Sequence, residues 1–256
     1  MAVREITMDY QGITEQYYAR WLGIEYSGIR PGEVRCVYSA ERNHAQYGYG
    51  KPIDLLLFIH NGGAVLSYGE KAADRIPLLA QTVGASPEIK RAAAGAGKVY
   101  GVQPECGIKF VYQGPLPGNI DAVTLGEADF SLFLDFYRKR AAGPQAYNLD
   151  WLESYFYQHV QDGFFCAVME AGQIVSCTDA PGMPYLSDRV QEIGIFTLPD
   201  FRSRGYALRA CAAAAQNIIK SGRCPQWSTS ADNIASQVLA SRVGFAPLAD
   251  TCMLTL

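Results

Sequence analysis

The stretch VQEIGIFTLPDFRSRGYALRACAAAAQNIIKSG (190–222) constrains the fold more than any other part of the chain. Its first eight residues are apolar enough for a buried strand, and the run from Gly205 is helix-forming until Gly222 ends it. Between them, LPDFRSRG leaves room only for a turn. A helix that begins so soon after a strand has to fold back onto the sheet. The small side chains of Cys211 to Ala215 let it lie close. The chain is therefore expected to be an α+β protein.

The turn also has a chemical character. A helix N-terminus presents unpaired N–H groups and the positive end of its dipole. Gly205 lets the backbone approach a ligand, Ala207 is too small to block it, and Arg202 and Arg204 add two positive charges. Together these suit a phosphate or pyrophosphate. Taken alone, two arginines beside a helix start are a weak signal and more often mark a solvated surface turn. No GK[ST] follows and no GxGxxG is present here, so neither a P-loop nor a dinucleotide fold is indicated.

GPLPGN (114–119) is the sharpest punctuation in the chain and is taken as a boundary between domains 1–118 and 119–256. In the first part, YYARWLGIE (17–25) reads as a helix, and EVRCVYS and IDLLLFIH read as strands. His60-Asn61-Gly62-Gly63 marks a turn, and GEKAADRIPLLAQTVG is a helix closed by Gly84. KVYGVQ and GIKFVYQ, flanking PECG, suggest a second hairpin. After the boundary the order is β-α-α-β-β-β-α-β-α-β, with Asn233 starting the helix IASQVLASRV and one or two strands in FAPLADTCMLTL.

R-x-x-G-x-A (Arg202, Gly205, Ala207), after a strand ending in Thr197, resembles motif A of the GNAT N-acetyltransferases. N-x5-L-x4-GF (Asn233, Leu239, Gly244, Phe245) resembles that family's second signature. The element order over 119–256 resembles the family fold, a mixed, mostly antiparallel sheet flanked by helices. With W-x5-N-x2-S-x2-LA-x3-GF, the pattern looks like a bacterial subgroup carrying an extra N-terminal α+β domain.

The resemblance implies an acyltransferase that moves the acetyl group of acetyl-CoA directly to a primary amine of a small molecule or peptide, without a metal. Ile195, Phe196 and Thr197 match the strand end that pairs with the pantetheine arm. Arg202, Ser203, Arg204, Gly205, Tyr206 and Ala207 match the pyrophosphate loop. Asn233 matches a cofactor-contacting position and is equally a helix N-cap; Ser236 lies one turn further on. Glu192, ten residues before Arg202, matches the region where several members hold a catalytic glutamate, and is equally readable as an edge-facing surface residue. The family's usual acid, a tyrosine seven residues after the asparagine, is Ala240 here. That departure keeps a second reading open, an acyl-CoA-binding sensor or structural module without turnover. The N-terminal part is expected either to shape the acceptor site or to mediate a homodimer.

A net charge of −3 argues against nucleic acid as a partner. MAVREITMDYQG lacks a signal-peptide layout and no apolar run reaches bilayer length, so a cytoplasmic protein without membrane contact is expected. The seven cysteines, without CxxC spacing, read as reduced and mostly buried thiols. His44, His60 and His159 show no metal spacing, and His60 is expected to be exposed beside its turn.

Overall fold

The computed structural model describes residues 8–25, 28–84, 87–118, 120–141 and 149–256. The elements run α1 (Tyr10–Leu22), β1 (Val34–Tyr38), β2 (Leu55–His60), β3 (Gly63–Tyr68), α2 (Ile76–Val83), α3 (Ile89–Tyr100) and β4 (Glu105–Tyr112). They continue as β5 (Val123–Thr124), α4 (Phe130–Ala141), α5 (Leu152–His159), β6 (Cys166–Glu170), β7 (Gln173–Asp179), β8 (Val190–Glu192) and β9 (Gly194–Thr197). The last are α6 (Tyr206–Lys220), β10 (Cys224–Ser230), α7 (Ile234–Val243) and β11 (Phe245–Leu254). The protein is α+β, and no helix of the described residues is long and apolar enough to cross a membrane.

Two sheets carry the fold. The larger has the order β1-β3-β2-β11-β4-β10-β8, and the smaller has the order β5-β6-β7-β9. β2 shows why the larger sheet is covered on both faces. Its run LLLFI is buried throughout: Leu55, Leu57 and Ile59 enter one core with Leu79, Ala92 and Ala96 of α2 and α3. Leu56 and Phe58 enter another core with Tyr17, Tyr18 and Trp21 of α1. An apolar run without alternation is what a strand between two helical layers requires. The third core gathers α4, α5 and α6 around the smaller sheet and Trp227.

The expected strand over VQEIGIFT is forked. β8 pairs in parallel with β10, with Glu192 opposite Gln226. The Ile193 N–H still donates to the Gln226 carbonyl, 3.1 Å away, but β9 then leaves β10 and pairs antiparallel with β7. One continuous run of residues thus ends the larger sheet and begins the edge of the smaller one. The fork opens between β9 and the second half of β10, and α6 and α7 start beside it.

Several expectations need correction. KVYGVQ is not a strand: α3 runs to Tyr100, because Ala92, Ala96 and Tyr100 bury one helical stripe, and Gly101 ends it. The tail, expected as one or two strands, is one, β11, with a bulge between Pro247 and Ala249. It pairs with β2 on one side and β4 on the other, so residues 1–118 and 119–256 contribute to one sheet. The thiols are not all reduced: Cys106 and Cys252, opposite each other on β4 and β11, form a disulfide. Cys166, Cys177, Cys211 and Cys224 are buried free thiols, as expected. His60 is not exposed either. Its side chain is 11% accessible, Nδ1 donates to the Leu248 carbonyl at the bulge (2.7 Å), and Nε2 lies 3.5 Å from Glu15.

Candidate active site

The groove that opens at the fork has about 700 Å³ of space. Its walls come from three separated segments: Ile195, Phe196 and Thr197 of β9; Arg202, Ser203, Gly205, Tyr206 and Ala207 of the turn and α6; and Asn233 and Ser236 of α7. The turn is shaped by two left-handed residues, Ser203 (φ 61°) and Gly205 (φ 80°). Gly205 stands at the N-cap of α6 and supplies no side chain to its free N–H groups. A Cβ built at Gly205 meets nothing within 4 Å, so the glycine is demanded by φ, and the space before the helix end is open. The groove therefore presents the positive end of an uncapped helix, which suits an anion.

The arginines divide. Arg202 lines the groove; its Nε–H donates to the Thr197 carbonyl (3.2 Å), and its guanidinium lies over Phe196. Arg204 does not line it. Its guanidinium donates to the Asp200 carbonyl (3.1 Å), covers Phe201, and lies 3.8 Å from Glu170. Glu170 also accepts a hydrogen bond from the Tyr206 hydroxyl. Asn233 serves as the N-cap of α7, its Oδ1 accepting from the Ser236 N–H at 3.1 Å, while it lines the groove. The Ser236 hydroxyl accepts from Trp227 Nε1–H (3.2 Å). Ala240 is fully buried in the core behind α7.

Glu192 does not line the groove. It belongs to a cavity of about 200 Å³ between α1 and the larger sheet, together with Lys109, Gln226, Ser228 and the rings of Tyr17, Tyr18 and Trp21. Its carboxylate accepts a hydrogen bond from Ser228. Burial lowers the pKa of the Lys109 ammonium, and the Glu192 charge acts in the opposite sense. Burial, and secondarily the Glu192 charge, raises the phenols of Tyr17 and Tyr18 far above their ordinary value. Glu192 is thus a half-buried group on the edge strand of the larger sheet, facing a cavity flanked by residues of the N-terminal segment.

A second carboxylate, Asp179, lies across from Gly194, two residues beyond Glu192. Gly194 is needed for this approach: a Cβ there would lie 1.7 Å from Asp179 Oδ1. Burial raises the Asp179 pKa, and Arg140 (3.6 Å) and the Tyr137 hydroxyl (3.3 Å) pull it back down. Asp179, Arg140 and Tyr137 line about 460 Å³ of space that shares Phe196 with the groove. No local pattern singled out Lys109, Gln226 or Ser228. They sit on strands whose alternation shows which face each side chain takes, but not what covers that face.

Residues 139–250 match the family model described as GNAT acetyltransferase. No curated protein matches the chain. Among solved structures, the chain is similar to a GNAT-family acetyltransferase from Colwellia psychrerythraea, with 15% identity, 59% of this chain and 56% of that chain covered, and a TM-score of 0.48. A GCN5-related N-acetyltransferase from Sphaerobacter thermophilus is 16% identical over 63% of this chain and 55% of that one, with a TM-score of 0.49. A putative GNAT-family acetyltransferase from Novosphingobium aromaticivorans is 21% identical over 59% and 64%, with a TM-score of 0.44. The chain spans less than two thirds of the length of each of these structures.

Proposed function

We propose that the protein transfers the acetyl group of acetyl-CoA to a primary amine at the fork between β9 and β10, in keeping with the match of residues 139–250 to the GNAT acetyltransferase model. The observation that carries this reading is the groove. Two stretches distant in sequence, one running from β9 into α6 and the other at α7, meet around an uncapped helix N-terminus, with Arg202 beside it. In this reading the N–H groups at the start of α6 and Arg202 hold the pyrophosphate, and the β9 backbone aligns the pantetheine arm. Asn233 and Ser236 bound the opposite wall.

The chemistry balances without a further reactant. The amine nitrogen attacks the thioester carbonyl carbon, a C–N bond forms, the C–S bond breaks, and CoA leaves as a thiolate. The proton lost from nitrogen passes to Glu192, directly or through water, and returns to solvent or to the thiolate. A thiol pKa near 8.5 allows the thiolate to leave without an acid at position 240.

Titration calorimetry with acetyl-CoA tests the groove. Arg202→Ala is expected to weaken binding at least tenfold, about 1.4 kcal/mol. Arg204→Ala, whose guanidinium is engaged with Glu170, is expected to change it less than threefold. No binding to the unaltered protein, or a larger loss from Arg204→Ala than from Arg202→Ala, overturns the assignment. The buried Ala240, where the family's acid would stand, favours a second reading as an acyl-CoA sensor. A sensor binds acetyl-CoA and releases no thiol with any amine.

A further inference from the structure

Resting on the acetyl-transfer reading, we propose that the acceptor is a small amine that also bears a carboxylate, an amino acid or a compound of that kind, bound in the cavity between α1 and the larger sheet. Three adjacent strands supply its polar floor: Lys109 from β4, Gln226 and Ser228 from β10, and Glu192 from β8. Register sets Lys109 opposite Ser228, and Glu192 opposite Gln226. Lys109 and Glu192 therefore stand two strand spacings and two residues apart, roughly 12 Å at the backbone. Glu192 is engaged by Ser228, and the Lys109 ammonium lies 4.9 Å over the Trp21 ring. The two opposite charges thus face a common space.

Burying a charge is costly unless a partner compensates it. A zwitterion compensates both ends at once, with its carboxylate at Lys109 and its amine at Glu192. The neighbouring Gln226 strengthens the second half of this pairing. It is 1% exposed, and its Oε1 accepts no hydrogen bond from the described residues although it borders the cavity. An amine N–H supplies the missing donor. The space, about 200 Å³, admits a molecule of amino-acid size. A diamine or polyamine would set a second cation against Lys109 and is disfavoured by the same arrangement.

The test uses the full-length protein and a panel of L-amino acids, their primary carboxamides and the corresponding decarboxylated amines. Thiol release from acetyl-CoA and equilibrium binding are both measured. At least one amino acid is expected to bind and to turn over with kcat/KM at least tenfold above its carboxamide and its decarboxylated amine. Lys109→Met is expected to remove that preference through KM, with acetyl-CoA affinity unchanged as the check on folding. Equal or better binding and turnover of the uncharged-tail amines by the unaltered protein overturns the proposal, whatever the variant does. Failure of every amino acid to bind overturns it as well. Amino-acid binding without thiol release supports the cavity assignment and defeats the acetyl-transfer reading instead, so the two failures are distinguishable.

Discussion

Glu192, on β8, and Asp179, on β7 opposite Gly194, put two carboxylates beside the fork, and their surroundings separate them. Asp179 is engaged by Arg140 and Tyr137, and burial favours its protonated form. Glu192 is held by a hydroxyl and opens into a cavity. A group that must accept a proton during turnover needs room for the donor beside it, and Glu192 has that room. Glu192→Gln keeps the shape and the Ser228 hydrogen bond but cannot take a proton. It is expected to lower kcat by about 100-fold or more at neutral pH, the usual scale for loss of a general base, while acetyl-CoA affinity stays as it was. Steady-state thiol release and calorimetry read the two quantities, and undiminished turnover removes Glu192 from the reaction. At this scale the sequence was informative where chemistry depends on local spacing. It placed Arg202, Gly205 and Asn233 on the groove from two short signatures. It could not separate Arg202 from Arg204, because what turns Arg204 aside is Glu170, at the end of a strand 34 residues earlier.

The start of α6 is where an element, rather than a side chain, makes the site. Alanine has the highest helix propensity, and the run buried from Ala210 to Ala215 fixes which face of the helix meets the sheet. That packing aims the helix end, and Gly205 lets the chain turn into it with positive φ. Gly205→Ala retains a small side chain with free space around it, so its effect is conformational: a non-glycine residue in the left-handed region costs about 1–2 kcal/mol. The loop is expected to relax rather than hold that strain, and acetyl-CoA affinity is expected to fall with the melting temperature. Thermal denaturation with and without acetyl-CoA checks this; an unchanged ligand-induced shift would mean that the loop's shape is irrelevant to binding. The strand–turn–helix order was legible from periodicity. The fork was not, because nothing in VQEIGIFT by itself says where the strand divides; only its partners, β10 for the first half and β7 for the second, decide that. The same blindness to partners made KVYGVQ look like a strand.

At the scale of the molecule, GPLPGN marks where the chain passes from one sheet to the other, yet β4 before it is the neighbour of both β10 and β11 after it. Local composition reveals a change of direction and says nothing of which strands later close around it. The disulfide was hidden for the same reason: Cys106 and Cys252 are 146 residues apart in sequence and become opposite only when β11 enters between β2 and β4. A fragment of residues 119–256 would leave β11 without both of its neighbours and β10 without β4. It would also remove α1, which covers the face that holds Glu192, and Lys109. Unpaired strand edges with apolar faces associate with one another. The fragment is therefore expected to aggregate or to lack the cooperative unfolding of the intact chain, and adding residues 8–118 as a separate chain is expected to restore solubility. Gel filtration and thermal denaturation of the fragment, alone and with the complement, decide the matter. A soluble fragment that unfolds cooperatively and binds acetyl-CoA would mean that β10 and β11 hold their places without the N-terminal strands, and that the shared sheet is an association of two finished domains.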